Sequence, residues 1–133
     1  MMLAEIVAAG MAFTCTPTHV WDGDGPIWCA EGPKIRLSGI AAREMGGTCR
    51  PGHPCPTASA QQARDHLVSL IGRKTGTAST GHILVQGAPL TCRSVGSGKG
   101  GRTAAWCSNE RAGDLSRAMV NSGYAAKWDR YWQ

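Results

Sequence analysis

Two carboxylates around one glycine, Asp22 and Asp24 in V-W-D-G-D-G-P, are the first residues that suggest chemistry. Arg36 follows twelve residues after Asp24, and Glu44 eight residues after Arg36. Between them run two short apolar segments parted by Gly32-Pro33. This order can bring a cation ligand, a phosphate clamp and a base to one place. A guanidinium is a planar fork that matches phosphate oxygens. A carboxylate one hydrogen bond away can take a proton from water. Carboxylate oxygens suit a hard cation. Each residue also has an ordinary role. Asp22 and Asp24 are common turn residues, Arg36 suits an exposed strand position, and Glu44 suits a surface loop.

The chain of 133 residues is long enough for one domain with a modest core. Glycine and threonine are plentiful and apolar runs are short, which favours β or α+β architecture over a helical bundle. The net charge of +5 biases a small domain towards polyanions, nucleic acid above all. No stretch approaches the ~20 apolar residues of a membrane span. Six cysteines in so short a chain imply disulfides and an oxidising compartment, outside the cell or in the periplasm. Cys15 and Cys29 flank the acid turn almost symmetrically, and Cys92 and Cys107 flank the glycine-rich turn 96–101 in the same way. Cys49 and Cys55 can close a small loop. Three bridges are therefore expected: Cys15–Cys29, Cys49–Cys55 and Cys92–Cys107. The rival for the middle pair is zinc, with Cys49, His53 and Cys55 as ligands. Residues 1–12 are apolar and alanine-rich. They read as a signal remnant or as an arm that docks on a protein partner.

Alternation predicts strands over 13–21, 27–30 and 34–40, with D-G-D-G-P and E-G-P as turns. Gly39 inside a strand implies a bulge or a close backbone approach. Residues 45–56 read as loop. A helix is expected over 57–73, capped by Thr57 or Ser59, with Ala60, Ala63, Leu67, Leu70 and Ile71 inward. Strands near 75–80, 82–85, 90–95 and 102–107 follow. A short helix over 114–122 then turns Leu115, Ala118 and Met119 inward and ends at Gly123. The order is three strands, a helix, further strands, a second helix and an aromatic tail with Trp128, Tyr131 and Trp132. It predicts a mainly β, α+β domain over 13–133: a mostly antiparallel sheet that curls into a small barrel, with helices against it.

Five motifs in this order resemble the staphylococcal-nuclease-like (thermonuclease) family: D-G-D before a hairpin, R-L-S-G-I-A-A-R-E, P-T-A-S-A-Q-Q-A, G-G-R-T-A-A-W, and G-D-L-S-R-A-M-V-N-S-G-Y-A. The resemblance covers roughly residues 13–132. It implies a small five-stranded OB-fold β-barrel with two helices. It also implies calcium-assisted hydrolysis of DNA or RNA phosphodiesters without strong sequence specificity. By position it makes Arg36 and Arg102 the phosphate arginines and Glu44 the base. Asp24 becomes a calcium ligand with Asp22 beside it, and Lys99 and Tyr131 lie near the nucleotide.

The chain departs from that pattern at the metal. The family carries Asp, Thr and Pro before the glutamate, where this chain has Ala41, Ala42 and Arg43. One calcium carboxylate is therefore missing, and Ca2+ binding should be weak. If the strand continued past Ala41, Arg43 would share its face and could supply positive charge to the substrate. Three readings compete: an active endonuclease, a nuclease-like module that binds nucleic acid or protein without cutting, and an assembly component docked through residues 1–12.

Overall fold

The protein's structure is a computed structural model, and it describes residues 5–133. Alternation makes the strands. In β4 (Lys34–Leu37), Ile35 and Leu37 point inward while Lys34 and Arg36 point out. β2 (Pro17–Asp22) and β3 (Gly25–Cys29) form a hairpin across the acid turn, pairing Val20 with Ile27 and Asp22 with Gly25. β1 (Ala12–Cys15) is separate from β2, so the expected strand over 13–21 is two strands. β5 (Ile40–Ala41) is a two-residue strand.

The first helix, α1 (Ala60–Ile71), starts later than expected because Ser59, not Thr57, caps it. Ser59 accepts from the Gln62 N–H, and the Gln62 side chain accepts from the Ser59 N–H. This reciprocal pair satisfies two donors that a bare helix start leaves open. Ala60, Ala63, Leu67, Val68 and Ile71 are buried, so Val68 takes the inward place expected for the half-buried Leu70. Gly72 ends the helix, and Arg73 and Lys74 open β6 (Arg73–Thr77) rather than closing the helix. β7 (Ile83–Gln86), β8 (Leu90–Ser97), β9 (Thr103–Asn109) and β10 (Gly113–Asp114) follow. Asp114 then caps α2 (Leu115–Asn121), whose buried residues are Leu115, Ser116 and Met119; Ala118 is only half-buried. β11 (Ala126–Lys127) pairs with β5, and a single helical turn, Asp129–Tyr131, closes the described chain.

The main sheet runs β1-β8-β9-β4-β3-β2-β7-β6, with β10 against β9. Its pairs are antiparallel except β4 with β9, which is parallel. The domain is mainly β with two helices, as expected. The sheet is not closed into a five-stranded barrel: it is mixed and open between β1 and β6. Closure needs the two edge strands to meet at a suitable tilt and hydrogen-bond to each other. β6 reads Arg-Lys-Thr-Gly-Thr and is largely exposed, a charged edge that discourages pairing.

The core lies between this sheet and the helices, with Val20, Ile27, Ile35, Leu37, Ile40, Leu67, Leu90, Leu115 and Met119 fully buried. Three disulfides join Cys15–Cys29, Cys49–Cys55 and Cys92–Cys107. The first closes the base of the β2–β3 hairpin, and the third links register partners on β8 and β9. At separations of 14 and 15 residues, each of these two contributes about 3 kcal/mol by constraining the unfolded chain. The bridges assign folding to an oxidising environment. They also leave Cys49 and Cys55 without thiolates for zinc.

Of the segment 1–12, residues 1–4 lie outside the described residues, and with them part of the signal or docking reading. Residues 7–11 run along the chain's own sheet. The Val7 N–H donates to Thr103, Ser94 Oγ donates to the Val7 carbonyl, and the Gly10 N–H donates to the Ser94 carbonyl. Among the described residues no helix is long and apolar enough to cross a membrane.

Candidate functional site

Arg36 projects from the outer face of β4, and its guanidinium is fixed by three acceptors. Nη1 donates to the Leu37 carbonyl at 2.8 Å. Nη2 donates to the Ile40 carbonyl at 3.0 Å and to Asp24 Oδ2 at 3.3 Å. Asp24 Oδ2 also accepts the Ala42 N–H at 3.0 Å. A guanidinium has five N–H donors, so two remain for a ligand. The acid turn and the turn after β4 are thereby locked together. Gly23 lets the acid turn sit on α1, because a Cβ there would lie 2.6 Å from that of Ala63.

Asp22 is 4% exposed. Burial first, then the Asp24 carboxylate and more weakly Glu44, push its pKa up to about 9. A carboxyl this enclosed needs a proton or a cation beside it.

Glu44 stands in the loop after β5. The Glu44 N–H donates to the Thr48 carbonyl and the Gly47 N–H returns to the Glu44 carbonyl, which closes the turn that carries its carboxylate. Glu44 Oε1 lies 2.9 Å from Arg50 Nε in a half-exposed ion pair. On the other side, the Gly98 N–H donates to the Arg102 carbonyl at 2.7 Å and closes the glycine-rich turn. Lys99 sits exposed near its tip.

These groups line one cleft of about 680 Å³, a usual size for a small-molecule or nucleotide site. Arg36, Glu44, Arg102, Asp22, Asp24, Lys99 and Tyr131 all border it. Arg43 does not. The strand ends at Ala41, so Arg43 leaves the shared face and donates to the Gly47 carbonyl at 3.0 Å. Arg50 occupies the cationic position on this side of the cleft.

Sequence reasoning also missed Arg50, His53, Trp128, Trp21 and Arg130 as lining residues. The Cys49–Cys55 bridge folds back the short loop that carries Arg50 and His53. His53 packs on Trp128 at 4.4 Å between ring centres, and Trp128 meets Tyr131 edge-on at 4.9 Å. Burial, then Arg36 and Arg50, hold the His53 pKa below its usual range. The aromatic tail was visible in the sequence, but its partner across the cleft was not. The cleft thus offers cations from four segments with an aromatic wall beside them, a combination suited to phosphate and a flat base.

The calcium site implied by the resemblance is not matched by these residues. Calcium takes six to eight oxygens. Asp24 Oδ2 is already engaged by Arg36 and Ala42, Asp22 Oδ1 accepts the Asp24 N–H, and Ala41 brings no carboxylate. Among the described residues no group of three His, Cys, Asp or Glu side chains is placed to share an ion.

No family model, no curated protein and no solved structure matches this chain.

Proposed function

We propose that the cleft binds and hydrolyses phosphodiesters of DNA or RNA. The observation that carries this reading is that one cleft unites the Arg36 and Arg102 guanidiniums with the Glu44 carboxylate, beside Trp128 and Tyr131. In this mechanism the free donors of Arg36, with Arg102, hold the phosphate and stabilise the charge that grows on it in the transition state. Phosphate approach draws Arg50 off Glu44. The freed carboxylate takes a proton from water, and the water oxygen attacks phosphorus. The P–O bond to the leaving nucleotide breaks, and that oxygen is protonated from solvent. Trp128 and Tyr131 stack a neighbouring base. Kinship with the OB-fold nucleases belongs to this reading and rests on the motif order. Secretion or a periplasmic location also belongs to it, and rests on the disulfides.

A plasmid-nicking and oligonucleotide-cleavage assay, run with chelator and with added calcium, tests the proposal. Glu44→Gln should lower the cleavage rate about 10²–10⁴-fold, as loss of a general base does, with binding retained. Full activity in that variant would refute the assigned mechanism. One observation favours a second reading, binding without cutting: Glu44 is paired to Arg50, and three donors of Arg36 are committed. Tight binding by the wild-type chain with no cleavage under any of these conditions would decide for it.

A further inference from the structure

The outer face of the β2–β3–β7 sheet carries an aromatic ladder that the cleft does not use. His19 and Trp28 are register partners on β2 and β3, with ring centres 4.6 Å apart. His82, just before β7, packs on Trp28 at 4.4 Å and on Trp21 at 4.8 Å. Lys34, opposite Trp28 on β4, holds its ammonium 4.3 Å over the Trp28 ring. Both histidines are pinned. The Thr18 hydroxyl holds His19 Nδ1 at 2.8 Å. The Thr80 hydroxyl holds His82 Nδ1 at 2.7 Å.

Three features point to an occupant. The ladder is continuous with the cleft, because Trp21 touches His82 and also lines the cleft. Lys34 and Arg36 are alternate residues of β4 on the same outward face, so the cationic row continues from cleft to ladder. The charges that bear on His82 come from His19 and Lys34, both basic; with burial as the larger cause, they hold its pKa below the usual range. This favours the neutral ring. An aromatic row flanked by cations suits unpaired bases with a phosphate backbone beside them.

We propose that this ladder is a stacking track for single-stranded nucleic acid, which receives the chain as it leaves the cleft past Trp21. The ring centres step by 4.8 and 4.4 Å from Trp21 through His82 to Trp28, too close for a base to enter between them, so bases stack on the solvent-facing side of the row. A paired strand cannot present its base faces to the ladder, so the track selects single strands. The proposal rests on the nucleic-acid reading of the cleft.

The test is fluorescence anisotropy with end-labelled oligothymidylates of about three and about twelve nucleotides, and a duplex of the longer length, in chelator. Wild-type protein should bind the longer single strand more tightly than the shorter. Trp28→Ala should weaken the longer strand about tenfold or more, as loss of a stacking aromatic does. It should leave the short strand and the duplex unchanged. Trp28→Phe should retain most of the affinity, and Lys34→Ala should reduce the salt dependence for the longer strand alone. If Trp28→Ala binds the longer strand like wild type, or weakens both lengths equally, the track is overturned while the cleft reading stands. If wild-type protein binds neither length, both fall.

Discussion

Gly39→Ala tests how the cleft is assembled. Gly39 has φ +80, which disfavours any side chain. A Cβ there would lie 2.6 and 2.9 Å from the Cη2 and Cζ2 atoms of Trp106, and 3.2 Å from Trp132. Trp106 is 7% exposed and meets Trp132 edge-on at 5.5 Å, so neither ring moves freely. The Gly39 carbonyl also accepts the Trp128 N–H at 2.8 Å and anchors the tail. The positive φ should cost about 1 kcal/mol, and overpacking about 1–3 kcal/mol more. The sum, about 2–4 kcal/mol, should lower the urea midpoint by about 1–2 M. In a Trp106→Phe background the nearest ring atoms are gone, so the same substitution should cost only about 1 kcal/mol, a coupling that a double-mutant cycle resolves. Cleavage or binding at the cleft should fall as well, since the tail carries Trp128 and Tyr131. A cost below about 0.5 kcal/mol, or the same cost in both backgrounds, would refute the reasoning.

Asp22 should make stability fall as pH rises. Its carboxyl stays protonated in the fold up to about 9, whereas in the unfolded chain it ionises near the ordinary value of about 4. Between those values the native state holds more protons, so stability drops by up to about 1.4 kcal/mol per pH unit. Asp22→Asn should therefore match wild type below about pH 4 and exceed it at neutral pH; parallel curves of melting temperature against pH would contradict this. Ser59→Ala removes the capping box of α1 and should cost about 1 kcal/mol in denaturant unfolding. Arg117 lies between the Trp106 and Trp132 rings at 5.2 and 5.1 Å and donates to the Gln133 carbonyl. Arg117→Gln should loosen the tail by about 1–2 kcal/mol, seen as roughly tenfold faster chymotryptic cleavage near Tyr131, with the core melting temperature little changed.

Much of the fold was legible in the chain because its causes are local. The helical spacing of Ala60, Ala63, Leu67 and Ile71 and the Ser59–Gln62 pair lie within one short segment. Alternation in β4 is visible residue by residue, and it also indicates that Arg36 faces outward. The three disulfide pairs flank turns, so sequence proximity was enough to propose them. Gly39 announced a close approach, though not that Trp106 and Trp132 make it. The resemblance brought Arg36, Glu44 and Arg102 forward together, and all three border one cleft.

Other features depend on segments far apart in the chain, and only the tertiary structure decides them. Sheet closure depends on whether the two edge strands meet and pair, and β1 and β6 do not. Arg50 and His53 became cleft residues because a disulfide turns their loop towards a tail that lies far along the chain. Arg43 lost its inward place because β5 stops at Ala41. The acid pair and Arg36 were readable as groups that could act on a ligand. Their commitment to each other was not, because it depends on backbone carbonyls and an amide that the fold brings within hydrogen-bonding distance. Residue types and spacing determined which chemistry was available to this chain. The fold decided which donors and acceptors were spent on holding the site and which were left for a ligand.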